Sequence, residues 1–154
     1  MSEQAAAARE ADDLVTIEIA KEAMNFSAGH FTMFTATERE DLHGHNWRVA
    51  CEITAPVGDA GLCFDYNIVK RRLKALVDGL DEKVLLPGAS PWLVIEQDGD
   101  WIVARYADER IPFLPRDVLV LEVRNVSVEE LAGWFVAQLL AAEEIRAEDV
   151  RALR

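Results

Sequence analysis

Apolar and polar positions alternate from Leu14 onward, with Val15, Ile17 and Ile19 separated by Thr16, Glu18 and Ala20. A period of two predicts a strand with one wet face, and the pattern carries it on toward Phe26. The alternation returns between Asn46 and Ala55, where Trp47, Val49, Cys51 and Ile53 interleave with Arg48, Glu52 and Thr54. Between the two strands lies a loop, Phe31 to Leu42, rich in threonine and acids. Pro56 to Gly61 is a turn cluster that ends the second strand. From Asn67 to Leu80 the period lengthens. Ile68, Leu73, Leu76, Val77 and Leu80 lie near one stripe, and Lys70, Arg71, Arg72 and Lys74 crowd the rest, which predicts a helix. Asp65 or Asn67 is placed to cap its start.

Pro87 to Pro115 is a proline-bounded excursion. Within it, Trp92 to Gln97 and Trp101 to Tyr106 flank Asp98-Gly99-Asp100, the signature of a hairpin. Val118 to Val123 is a short apolar strand suited to a sheet centre. Ser127, with Glu130 three residues on, has capping-box spacing and opens a second helix carrying Leu131, Trp134, Phe135, Gln138 and Leu139. The tail from Ala141 to Arg154 is charged, with room for a helical turn or two. Two helices, hairpin-linked strands and no repeated βαβ unit predict an α+β domain, an antiparallel sheet with both helices on one face.

The length of 154 residues suits one core, and 51% apolar with 29% charged residues is ordinary globular composition. Residues 1–13, alanine- and acid-rich, read as a disordered acidic leader without the features of a signal peptide, ahead of a single domain over 14–154. The net charge of -12 repels a phosphate backbone, so no nucleic-acid partner is expected. No apolar run approaches a bilayer-spanning length, so no membrane role is expected either. Cys51 and Cys63 do not form a disulfide framework, and a cytoplasmic location is expected.

All three histidines, His30, His43 and His45, fall in one corner of this scheme. His43 and His45, at i and i+2, share a strand face. His30 ends the preceding strand, and antiparallel pairing brings it alongside. Three imidazoles converging from two strand ends make an open zinc site whose fourth position is left to water or substrate. The alternative is three satisfied polar side chains that happen to be close in sequence. Neither cysteine adjoins them in sequence, which disfavours soft metals.

Phe26-Ser27-Ala28-Gly29-His30 and Leu42-His43-Gly44-His45-Asn46-Trp47 resemble the two zinc motifs of the 6-pyruvoyl-tetrahydropterin synthase / 6-carboxytetrahydropterin synthase family. The resemblance continues in order through Leu62-Cys63-Phe64-Asp65-Tyr66, Gly79-Leu80-Asp81-Glu82-Lys83-Val84-Leu85 and Asn125-Val126-Ser127-Val128-Glu129-Glu130-Leu131-Ala132. It implies a tunnelling fold (T-fold) in which three subunits close a barrel and two trimers stack as a homohexamer. The hairpin at about 87–115 is then an insertion at the rim. The resemblance also implies Zn2+ on His30, His43 and His45, Glu129 as anchor of the pterin ring, and Asp81 in the catalytic pair. Without the resemblance, Glu129 reads as a first-turn acid that favours the helix dipole.

The sequence departs from the family at two places. The cysteine expected four to six residues before the His-x-His motif is missing, Thr37, Glu38 and Arg39 standing there, and Glu82 replaces the histidine after Asp81. Within the superfamily, a variant class that carries a glutamate in place of the cysteine cuts the dihydroneopterin triphosphate side chain to 6-hydroxymethyl-dihydropterin. Glu38 is the first candidate for such a base and Glu40 the second, with Asp81 and Glu82 assisting proton transfer. The alternative for this acid cluster is a solvated loop. Arg39, Arg48, Lys83 and Arg124 are the possible partners of a triphosphate, and nothing in the sequence singles one out. The expected function is a zinc-dependent lyase acting on the side chain of a 7,8-dihydropterin such as 7,8-dihydroneopterin triphosphate. The alternative is a zinc-containing paralogue that binds a pterin or purine-like ligand without turnover, or acts on a non-pterin substrate.

Overall fold

A long, bent hairpin forms the backbone of the molecule. Its first arm comprises β1 (Leu14–Ile19) and β2 (Asn25–His30), and its second comprises β3 (His43–Arg48) and β4 (Cys51–Pro56). β1 pairs with β4 and β2 with β3, both antiparallel. The expected continuous strands are each interrupted where the hairpin bends. Ile19 faces Cys51 and Asn25 faces Arg48, so residues 20–24 on one arm oppose only 49 and 50 on the other. An unequal count of this kind bends and twists a strand pair as a bulge does. The bend is closed by a turn at Met24, whose amide bonds to the Lys21 carbonyl and whose carbonyl accepts from Val49. The computed structural model describes residues 14–146, 148 and 150–154, and the expected leader lies outside them.

The first helix, α1 (Asn67–Leu80), follows the predicted bounds. Neither expected residue is the cap: Tyr66 holds that position without a side-chain cap bond, and Asp65, just before it, accepts the Asn67 amide at 3.0 Å. Val69, Leu73, Val77 and Leu80 are the buried stripe. β5 (Lys83–Pro87) then enters the sheet parallel to β2, and β9 (Val118–Leu121) adds parallel to β5, giving the order β3-β2-β5-β9. The second helix, α2 (Val128–Ala141), starts at Ser127, whose side chain accepts the Glu130 amide at 3.3 Å. Glu130 does not complete the box. It turns back to the Arg124 amide at 2.8 Å and the Arg124 guanidinium at 2.5 Å. The short α3 (Glu143–Arg146) is the expected turn in the tail. A two-residue strand, β10 (Ala152–Leu153), pairs with β4 beyond it.

Both long helices cover the same face of the sheet. Leu73, Val77 and Leu80 of α1 share one core with Leu131, Phe135 and Leu139 of α2 and with Ile19, Phe26, Ile53, Leu85 and Leu121 of the strands. The α+β architecture with two helices on one face is therefore the observed one. The excursion after β5 is a three-stranded meander, not a lone hairpin: β6 (Leu93–Asp98), β7 (Trp101–Tyr106) and β8 (Glu109–Phe113). Gly99, at φ 60, makes the predicted first turn. Ala107, at φ 50, makes a second one with no glycine to announce it. The meander packs Leu93, Ala104 and Tyr106 against Phe31, Met33 and Leu86 in a second core. Leu85 and Leu86 thus point into opposite cores, which is why β5 is apolar from Val84 to Pro87. Among the described residues, no helix is long and apolar enough to cross a membrane.

Leu73 is fully buried between both helices and the sheet. Leu73→Ala is expected to lower unfolding free energy by about 2–5 kcal/mol, measured by urea denaturation with the slope unchanged.

Candidate metal centre and active site

The register of β2 with β3 sets the site. His30 faces His43, Gly29 faces Gly44, and Ala28 faces His45. The side chains of His43, His45 and Trp47 therefore emerge on one face, beside His30, Ala28 and Phe26 of the neighbouring strand. The three imidazoles cluster as expected: one ligand atom from each lies within 4.8 Å of the others. Ring centroids are 4.7 Å apart for His30–His43, 5.1 Å for His30–His45 and 4.7 Å for His43–His45. Trp47 backs the cluster edge-on, 5.2 Å from His30 and 5.6 Å from His45.

Hydrogen bonds decide which nitrogens face inward. Nδ1 of His30 lies 2.9 Å from the Val126 carbonyl, and Nδ1 of His43 lies 2.7 Å from the Asp41 carbonyl. A carbonyl can only accept, so each Nδ1 carries the proton and each Nε2 keeps its lone pair. Nε2 of His30 is buried with no hydrogen-bond partner, and Nε2 of His43 and His45 lie 2.9 Å apart. A buried, orphaned acceptor beside two converging imidazole nitrogens is costly without a cation and fits a metal centre ligated through Nε2. Burial, foremost, pushes the pKa of His30 below 6.5, with the neighbouring His43 and His45 adding to the effect, so its lone pair is available at neutral pH.

The loop carboxylates separate clearly. Glu40 turns its Oε2 onto the Thr32 amide at 3.0 Å, while its own amide bonds to the Thr32 carbonyl at 2.9 Å. Hydrogen bonding by Thr32, then the charges of His43 and His30, hold the Glu40 carboxyl below its ordinary range. It is ionised at neutral pH and close enough to the histidines to feel them. Glu38, the first candidate by sequence, is exposed and lines a different cleft with Asp41, Tyr106, Asp108 and Glu109.

Asp81 and Glu82 sit at the junction of α1 and β5. Asp81 Oδ1 accepts the Ser27 amide at 2.7 Å, and the Glu82 amide bonds to the Ser27 carbonyl at 2.8 Å. Asp81 thus completes the edge of the β2 ladder. Glu82 is held in the left-handed region, at φ 57, a conformation that costs a non-glycine residue about 1–2 kcal/mol. It lines an open polar cleft of about 490 Å³ with His45, Asn46, Lys83 and Asp117, floored by the facing pair Gly29 and Gly44. Glu129 is exposed in the first turn of α2, three residues beyond the Val126 carbonyl that holds His30.

Sequence reasoning missed Asn125. Its amide group both accepts from the Met33 amide at 3.2 Å and donates to the Met33 carbonyl at 2.7 Å, tying the start of the 31–42 loop to the segment before α2. The only signal was an asparagine two residues before a helix cap.

The chain has known relatives. A family profile described as 6-pyruvoyl tetrahydropterin synthase matches residues 18–154. A protein of Pyrococcus abyssi named "Putative 6-carboxy-5,6,7,8-tetrahydropterin synthase" is 28% identical over 130 residues, covering 84% of this chain and 76% of that one. The 6-pyruvoyl tetrahydropterin synthase of Plasmodium falciparum superposes with a TM-score of 0.83 at 25% identity, over 92% of this chain and 89% of that one. The Plasmodium vivax enzyme superposes equally well, with a TM-score of 0.83 over the same shares at 23% identity. Those structures are of variants in which a catalytic glutamate is replaced by alanine or cysteine. With the profile running from residue 18 to the last residue, across both helices and all three histidines, the chain belongs to the 6-pyruvoyl tetrahydropterin synthase family.

Proposed function

We propose that this protein is a lyase acting on the side chain of a 7,8-dihydropterin, with Glu40 as its base and zinc as its metal. The observation that carries the reading is the placement of the Glu40 carboxylate, pinned on the Thr32 amide and electrostatically coupled to His43 and His30. His30, His43 and His45 would hold the metal through Nε2. Zinc bound there would supply Lewis acidity toward a side-chain hydroxyl or carbonyl oxygen.

The chemistry left to the protein is proton transfer. On 7,8-dihydroneopterin triphosphate, Glu40 takes the proton of the C2′ hydroxyl. The C1′–C2′ bond breaks, C2′ leaves as an aldehyde, and its bonding pair passes to C1′ in conjugation with the ring. Return of a proton to C1′ gives 6-hydroxymethyl-7,8-dihydropterin. Of the two junction carboxylates, Glu82 is the one offered for assisting this transfer, because Asp81 is engaged by the Ser27 amide. Glu129 offers a carboxylate able to accept two parallel N–H bonds from the pterin ring. The Plasmodium vivax relative, with its catalytic glutamate, supports a carboxylate in this role. β3 and β9 end the four-stranded sheet with open edges, suited to closure of a barrel by further copies in a dimer of trimers.

Cys51 does not suit the base. Cys51 is buried, and burial, foremost, with the Glu52 charge pushes its thiol up to about 11. A thiol so raised is a poor nucleophile and a poor proton acceptor at neutral pH. The paired substitution Cys51→Ala with Cys63→Ala is expected to leave turnover unchanged. Native Cys51 is expected to resist iodoacetamide until the protein unfolds, as followed by mass.

Zinc-loaded protein incubated with 7,8-dihydroneopterin triphosphate is expected to yield the 6-hydroxymethyl product, identified by mass. Glu40→Gln is expected to keep its metal and lose turnover by about 100-fold or more, whereas His30→Ala, His43→Ala and His45→Ala together should lose the metal. A pyruvoyl or carboxy product would overturn the assigned reaction. Ligand retained without product would overturn turnover itself in favour of a binding role.

A further inference from the structure

The meander reaches the catalytic corner through one end of the β7–β8 hairpin. Tyr106 and Glu109 face each other there across the turn at Ala107 and Asp108. Both side chains engage the 31–42 loop. The Tyr106 hydroxyl, almost fully buried, donates to the Thr35 carbonyl at 2.6 Å. Glu109 Oε2 accepts from Nε and Nη2 of Arg39, each at 2.7 Å. Arg39 then passes the restraint inward. Its Nη1 donates to the Glu40 carbonyl at 2.6 Å, and its guanidinium lies 4.9 Å from the centre of the Phe31 ring, next in sequence to His30. Arg39 also bridges to Met33 across the loop.

We infer that the β7–β8 hairpin end is a positioning device for the catalytic carboxylate, with Arg39, Glu109 and Tyr106 as its positioning residues. The inference rests on the reading of Glu40 as the base. Three features of the geometry support it. The guanidinium fork holds the carbonyl of the residue whose side chain must be aimed, so a rotation at that peptide would swing the carboxylate off the Thr32 amide. Arg39 makes three donor contacts to two acceptors, Glu109 Oε2 and the Glu40 carbonyl, a planar fork that lysine cannot reproduce. Arg39 is also shielded, its side chain 17% exposed, so the pair with Glu109 is not a fully solvated surface contact. The meander is thereby part of the active site's support and not only a rim element. Displacing a reacting group by about 1 Å can cost about 100-fold in rate.

The test compares Glu109→Gln, Arg39→Lys and Tyr106→Phe with a control in the same meander. Glu96→Gln breaks the Arg105–Glu96 pair on the meander's outer face, with no contact to the loop. For 7,8-dihydroneopterin triphosphate, Glu109→Gln and Arg39→Lys are expected to lower kcat about 10- to 100-fold with KM and zinc content unchanged, and Glu96→Gln to leave kcat at the native value. Glu109→Asp is expected to restore part of the loss. Combining Glu109→Gln with Glu40→Gln should cost nothing beyond Glu40→Gln alone, since aim no longer matters once the carboxylate is gone. Additive losses, or a kcat unchanged in Glu109→Gln, would overturn the inference. Amide hydrogen exchange over residues 31–42 reads the clasp's hold on the loop without reference to turnover. Faster exchange in Glu109→Gln and Tyr106→Phe than in Glu96→Gln supports the clasp, and equal exchange refutes it. If the native protein turns over no dihydropterin, the reading of Glu40 fails and the inferred role of the clasp falls with it, whatever the exchange shows.

Discussion

One register holds the site together, the pairing of β2 with β3. A strand's side chains alternate between faces, so a slip of one residue in β3 would carry His43 and His45 to the face of Ser27 and Gly29 and leave His30 alone. The register is fixed from both ends. At the far end Phe26 stacks on Trp47, ring centres 6.0 Å apart and ring planes nearly parallel at 10°. At the near end the Nδ1 bonds of His30 and His43 reach carbonyls outside the pair, at Val126 and Asp41. Between them Gly29 faces Gly44, so no side chain stands on the opposite face at this level. The bend above, five residues against two, lets β1 and β4 wrap around the main core without disturbing that alignment.

Much of this was legible in the sequence because it depends on local chemistry. The stripe Leu73, Val77 and Leu80 specifies α1, Ser127 marks the start of α2, and Gly99 marks its turn. The His-x-His spacing and the preceding strand end predict the imidazole cluster directly. What escaped depends on partners far along the chain. The break at residues 20–24 is a property of the pairing, not of either strand. β8 was hidden by Pro112 within it and by a turn built on Ala107 instead of glycine. β10 has two residues and exists because β4 offers an edge. What distinguishes Glu40 from Glu38 could not be read from a run of acids, because it is a contact to a residue outside that run, the Thr32 amide on the Glu40 carboxylate.

The charge balance acquires a sharper meaning in the structure. On the proposed triphosphate substrate, a protein of net charge -12 would need local cations. Three of the four candidates have commitments within the chain. Arg39 is held by Glu109, Arg124 by Glu130, and Lys83 Nζ donates to the Arg116 carbonyl at 2.8 Å. Lys83 alone of these three binds a neutral group, so its charge is not cancelled, and it lines the polar cleft that also holds His45 and Glu82. An anion entering that cleft would meet one ammonium flanked by carboxylates. Such an arrangement discriminates by position more than by total charge.

The bond between His30 and Val126 has a consequence for how the domain assembles. His30 belongs to the second strand, and the carbonyl that fixes its tautomer lies 96 residues away, immediately before the cap of α2. The carbonyl that orients the imidazole is therefore in place only when the start of that helix has docked. Until then the imidazole is free to rotate and to carry its proton on either nitrogen. A metal ion held by the three histidines would therefore favour the docked position of α2, and docking would in turn favour the metal, by linkage.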